Sequence, residues 1–91
     1  MIARRLVVRG RVQGVGYRDA LVTAARAAGA VGWVRNLRDG GVEALVQGDP
    51  ESVERVIAWC RRGPPVARVA EIVTEPAPIE PHEEFVRRPT G

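Results

Sequence analysis

The sequence contains no lysine; all 14 of its basic Lys/Arg residues are arginine. That excludes mechanisms that need a lysine amine, including Schiff-base chemistry and the lysine of a P-loop. Cys60 is the single cysteine. An intramolecular disulfide framework and a multi-cysteine metal site are therefore excluded. His82 is the single histidine, so there is no histidine cluster for metal or relay chemistry. Neither a Walker A loop nor a G-x-G-x-x-G fingerprint occurs. No apolar run approaches the roughly 18 residues of a transmembrane helix. Residues 1–11 alternate apolar and basic side chains and lack the apolar stretch of a signal peptide. The expectation is a cytoplasmic protein with no membrane association.

What remains is a chain of 91 residues, 45% hydrophobic and 27% charged, with a net charge of +3. One domain spanning residues 1–91 is expected. A chain this short buries roughly 60–65% of its unfolded surface, enough for one modest core. Arginine favours forked recognition of carboxylates and phosphates. Compositional bias explains the arginine excess in general, but not where particular arginines sit.

Arg4 to Val12 reads as a first strand, with Leu6, Val8, Gly10 and Val12 on one face. A loop, Gln13 to Gly16, leads into a helix from about Tyr17 to Ala28, with Tyr17, Leu21, Ala24 and Ala28 at helical spacing. Gly29 suits its C-terminal stop. Val31 to Leu37 is a second strand. Arg38-Asp39-Gly40-Gly41 is a hairpin turn in which Asp-Gly supplies positive φ angles. Val42 to Gln47 is a third strand. Asp49 as N-cap and Pro50 at the first position start a second helix, ending near Arg62. Its stripe is Val53, Val56, Ile57 and Cys60. Arg68 to Thr74 is a fourth strand, Pro76, Pro78 and Pro81 lie in an extended connection, and Glu83 to Arg87 suits a short edge strand. The order βαββαβ is that of an α+β, ferredoxin-like sandwich: an antiparallel sheet with two helices on one face. That fold hosts many functions.

The junction between the first strand and the first helix carries the strongest chemical signal. Gly14 and Gly16 let backbone N–H groups turn inward, and a helix N-terminus adds its dipole. Arg18 lies in the first helical turn, where a cation opposes that dipole by roughly 0.3–1 kcal/mol. Asp19 offsets part of this. An anion held between Arg18 and the loop amides would account for the arginine. On the loop alone, an anion site and a tight structural turn both remain open.

The segment Gly10 to Arg18, GRVQGVGYR, resembles the first motif of the acylphosphatase family. Gly32-Trp33-Val34-Arg35-Asn36 is similar to the family's second motif, G-W-V-x-N. Their separation, the hairpin glycines Gly40 and Gly41, and Gln47-Gly48 before the second helix also fit. The resemblance covers nearly the whole chain, except Glu75 to Glu83. It implies a small acylphosphatase in which Arg18 binds phosphate and Asn36 positions the nucleophilic water. The amides of Gly14, Val15, Gly16, Tyr17 and Arg18 complete the cradle. It further implies no metal, no cofactor and a monomer whose partners are small acyl phosphates and inorganic phosphate. Many relatives carry a larger residue at the position of Gly16, so a more flexible loop is expected.

The residues named fit that reaction. Arginine does not deprotonate in proteins, and an asparagine amide does not titrate. The chemistry must therefore proceed without a protein acid or base. An acyl phosphate allows this, because its carboxylate leaving group has a conjugate acid of pKa about 4. A nucleic-acid module is the rival from another class, since RNA-recognition motifs share the fold. Those modules stack bases on sheet aromatics, and the first and third strands here contain none. A carbamoyl-transfer module, as in the N-terminal domain of hydrogenase-maturation proteins, is a second rival that belongs to much longer chains. His82 among its acidic neighbours reads as a solvated loop residue, and Cys60 as a buried thiol. Trp33 and Trp59 read as packing residues, with Trp33 also a candidate to shape the acyl pocket. Arg61-Arg62 and Arg87-Arg88 read as solvated charge at element ends.

Overall fold

Residues 1–91 are described by a computed structural model. Its elements in chain order are β1 (Ile2–Arg11), α1 (Tyr17–Ala27), β2 (Val31–Asn36), β3 (Val42–Gly48), α2 (Pro50–Arg62), β4 (Arg68–Pro76) and β5 (Phe85–Arg87). The strands form one sheet in the order β4-β1-β3-β2-β5. β1 pairs antiparallel with β3 and β4, and β2 antiparallel with β3. β5 lies parallel to β2. The expected antiparallel sandwich is thus correct for four strands, while the fifth makes the sheet mixed. The reason is the route of the chain. After β4, residues 77–84 cross to the opposite edge, and a parallel neighbour requires such a crossover.

Both helices cover one face. Tyr17, Leu21 and Ala25 of α1 and Val53, Val56 and Cys60 of α2 join Leu6, Val8, Val34, Val42, Ala44, Val46 and Phe85 in one buried cluster. The α1 stripe uses Ala25, with Ala24 and Ala28 only half-buried. α2 begins as expected at Asp49 and Pro50, but the Asp49 side chain forms no capping bond. Its carbonyl accepts from the Val53 N–H at 3.0 Å.

The other face is not simply solvated. All seven residues of β3 are buried. Trp33, Ala3 and Leu45 form a second apolar cluster there. The Glu43 carboxylate accepts from Arg5 at 2.6 Å and from Arg35 at 2.7 Å. Residues 77–82 cover part of this face: the Gln47 amide donates to the Glu80 carbonyl and accepts from the Glu80 N–H. Trp33 donates to the Glu80 carboxylate, which is also 2.7 Å from the His82 ring. His82 is therefore largely enclosed and paired, where a solvated loop residue was expected. Pairing also carries β4 through Pro76, beyond the expected end at Thr74.

The hairpin differs in detail. Gly40 takes φ +100°, but Asp39 does not have a positive φ. Leu37 N–H donates to Gly41 O at 2.8 Å, closing a longer loop. The Asp39 carboxylate accepts from the Gly41 N–H at 3.0 Å.

Candidate active site

β1 leaves the sheet beside the end of β2, and the chain turns there into α1. Gly14 and Gly16 adopt φ +73° and +77°. A Cβ at either would meet nothing within 4 Å. Backbone conformation, then, selects glycine at these two positions. Gly16 occupies the left-handed N-cap of α1.

The first α1 bond beyond the loop runs from the Ala20 N–H to Gly16 O, at 3.1 Å. The N–H groups from Gly14 to Asp19 have no intramolecular partner. A helix always leaves its first amides free; here the two-glycine loop extends that set. Donors and helix dipole together favour an anion.

Arg18 projects from this first turn. It is half-buried and forms no ion pair. Asn36 ends β2 and shares the helix-facing side with Val34, by strand alternation. Its Oδ1 is buried and has no hydrogen-bond partner. An unsatisfied buried acceptor costs about 1–3 kcal/mol, and this one belongs to a residue that lines the cleft. Arg18, Asn36, Gly14, Gly16 and Tyr17 line one cleft of about 220 Å³, with Val12, Gln13, Asp19 and Arg87. All the residues expected at the site except Val15 therefore line it. The Val15 side chain packs against the core, so only its free N–H is left at the loop.

The Tyr17 N–H is free at the loop, while its ring serves the fold. The ring lies 5.5 Å from that of Trp59, and the hydroxyl donates to Cys60 O at 2.7 Å. That carbonyl would ordinarily accept from residue 64, which is proline and has no N–H. Burial raises the phenol well above its ordinary pKa and pushes the Cys60 thiol up to about 12. Both groups stay protonated at neutral pH and are unsuited to act as base or nucleophile.

Four residues of the cleft were not expected at the site: Val12, Gln13, Asp19 and Arg87. Gln13 donates to Leu37 O at 2.7 Å and to Gly41 O at 2.8 Å, tying the loop to the hairpin beyond Asn36. Asp19 forms an ion pair with Arg87 at 2.5 Å. Gln13 was visible within the first motif. The Asp19–Arg87 pair joins residues 68 positions apart and left no local signal. Trp33 is not a pocket residue: it lies on the opposite face, with the Arg35 and Arg88 guanidiniums 5.3 and 4.8 Å from its ring centre. No helix is long and apolar enough to cross a membrane.

A family model described as Acylphosphatase matches residues 4–87. The chain is 55% identical to an acylphosphatase of Acidiphilium cryptum, covering 100% of both chains. It is 47% identical to acylphosphatase 1 of Ralstonia nicotianae, over 99% of this chain and 90% of that one. The crystal structure of acylphosphatase from Bacillus subtilis superimposes with a TM-score of 0.93 at 32% identity, covering 97% of this chain and 99% of that one. A model match over residues 4–87 and a full-length relative at 55% identity place the chain in the acylphosphatase family.

Proposed function

We propose that the cleft hydrolyses the carboxyl–phosphate bond of acyl phosphates, with Arg18 and the loop amides holding the phosphoryl group and Asn36 orienting the attacking water. The family supplies the enzyme class, the motif resemblance implies the residue roles, and the chemistry of the cleft supports them. The observation that carries them is the buried, partnerless Oδ1 of Asn36 in the same cleft as Arg18.

Phosphoryl transfer proceeds through a loose transition state with charge spread over the equatorial oxygens. Fixed donors aimed at those oxygens stabilise it without reorganisation. Arg18 forks two of them, and the amides from Gly14 to Arg18 bind the third. A water donates one hydrogen to Asn36 Oδ1, which turns a lone pair toward phosphorus opposite the leaving carboxylate. Its other proton passes to a phosphate oxygen or to solvent. Water adds its oxygen to phosphorus, and the carboxylate leaves with the electron pair of the broken P–O bond. Orthophosphate and a carboxylate result. No protein group needs to gain or lose a proton, and no metal enters the scheme.

An alkoxide leaving group would need an acid that this cleft does not supply. Turnover of benzoyl phosphate beside p-nitrophenyl phosphate tests the reading. Fast hydrolysis of the first and poor hydrolysis of the second is expected. The reverse order overturns it.

A further inference from the structure

Arg87 is a second guanidinium in the cleft, and phosphate binding as proposed above does not use it. β5 pairs parallel with β2 in the register Gly32↔Phe85, Trp33↔Val86, Val34↔Arg87. Strand alternation therefore puts Arg87 on the same helix-facing side as Val34 and Asn36. Adjacent strands lie about 4.8 Å apart and rise about 3.3 Å per residue, so Arg87 stands about 8 Å from Asn36, backbone to backbone. Arg88 points the opposite way, with its guanidinium 4.8 Å from the Trp33 ring centre. The two consecutive arginines thus serve different faces, and only Arg87 lines the cleft.

Its one protein partner leaves it open to more. Nη1 donates to Asp19 Oδ1 at 2.5 Å. The side chains are 44% and 70% exposed, so solvent screens the pair. A guanidinium carries five N–H donors, and Nε and Nη2 of Arg87 have no partner. Asp19 also lies in the first turn of α1, where the helix dipole already favours its charge. The cleft volume of about 220 Å³ equals about seven waters at about 30 Å³ each. One phosphoryl group and one water leave room beside Arg87.

We propose that Arg87 forms a second anion subsite, which selects acyl phosphates whose acyl part ends in a carboxylate or a second phosphate. This rests on the assignment of the phosphoryl site to Arg18 and the loop. Arg18 holds the phosphoryl end, and the free donors of Arg87 fork the distal anion. Arg87 also offsets Asp19, whose charge would otherwise repel that anion.

Two pairs of probes test it. For turnover, succinyl phosphate carries a distal carboxylate and butyryl phosphate of equal length does not. For binding, phosphonopropionate and propylphosphonate differ in the same way. Wild type is expected to favour the anionic member of each pair by roughly tenfold, the scale of one charge-assisted fork. In Arg87→Gln both ratios fall to about one, whatever loss the two probes share. In Arg87→Lys, which keeps the charge, an intermediate ratio remains. A wild-type ratio near one, or an unchanged ratio in Arg87→Gln, overturns the subsite. An equal proportional loss on both probes also overturns it, because Arg87 would then only neutralise Asp19. Selective phosphonate binding without turnover of either acyl phosphate supports the subsite and overturns the hydrolytic reading. Equal binding and equal turnover within each pair do the opposite.

Discussion

Gln13 donates its side-chain amide to the carbonyl of Leu37 at 2.7 Å, and so fastens the first residue of the glycine loop to the residue that follows Asn36. The same amide reaches Gly41 O at 2.8 Å, on the returning side of the hairpin. The proposed phosphoryl cradle and the proposed water-orienting amide are built on different elements, and Gln13 ties the first to the hairpin beside the second.

Gln13→Glu keeps the side chain's reach but replaces the donor with a carboxylate facing two carbonyls. A misplacement of about 1 Å costs on the order of a hundredfold in rate. A fall in kcat of about 10- to 100-fold is expected, with a smaller change in inhibition by inorganic phosphate. Benzoyl phosphate kinetics across a phosphate titration measure both. A rise in KM at constant kcat would show that Gln13 serves binding alone.

Tyr17→Phe removes the hydroxyl that satisfies Cys60 O. Because residue 64 is proline, no main-chain N–H can take its place. Leaving a buried carbonyl unpaired costs about 1–2 kcal/mol. Urea unfolding should show a lower midpoint at an unchanged m-value. An unchanged midpoint would mean that the carbonyl finds water.

Acid stability should depend in part on Glu80. The hydrogen bond with His82, followed by that from the Trp33 indole, holds this carboxyl below its ordinary range. A depressed folded-state pKa contributes stability that is present above the unfolded value, about 4.3. That stability is lost as the pH falls through the folded value. Wild type should therefore lose more thermal stability between pH 6 and pH 3 than Glu80→Gln does. Equal losses in the two proteins, followed by calorimetry, would remove Glu80 from the acid response.

How far the sequence was legible depended on how local each cause was. Gly14, Gly16 and Arg18 sit within a few residues of a strand end and a helix start, so backbone conformation and the helix dipole raised an anion site there, and the resemblance was needed to choose it over a tight turn. Asn36 required the resemblance, because its partner loop lies about 20 residues upstream. The parallel pairing of β5 depends on the route of residues 77–84, which no periodicity encodes. That route encloses His82 and turns Arg87 and Arg88 to opposite faces. Glu43 is charged yet buried because Arg5 and Arg35 from the two neighbouring strands cover it, a pairing that no local pattern encodes. Ala25 replaced Ala24 and Ala28 on the α1 stripe because alanines on every side left the helical phase open.

Separating phosphate binding from turnover tests the division of labour between Arg18 and Asn36 most directly. Benzoyl phosphate hydrolysis and calorimetric binding of inorganic phosphate should be measured on wild type, Arg18→Ala and Asn36→Ala. Arg18→Ala is expected to lose both, with hydrolysis down by about a thousandfold or more, the scale of an arginine on a transferring phosphoryl group. Asn36→Ala is expected to lose hydrolysis by about a hundredfold or more while phosphate still binds. Loss of phosphate binding in a folded Asn36→Ala protein, or hydrolysis that persists in Arg18→Ala, would contradict the assignment.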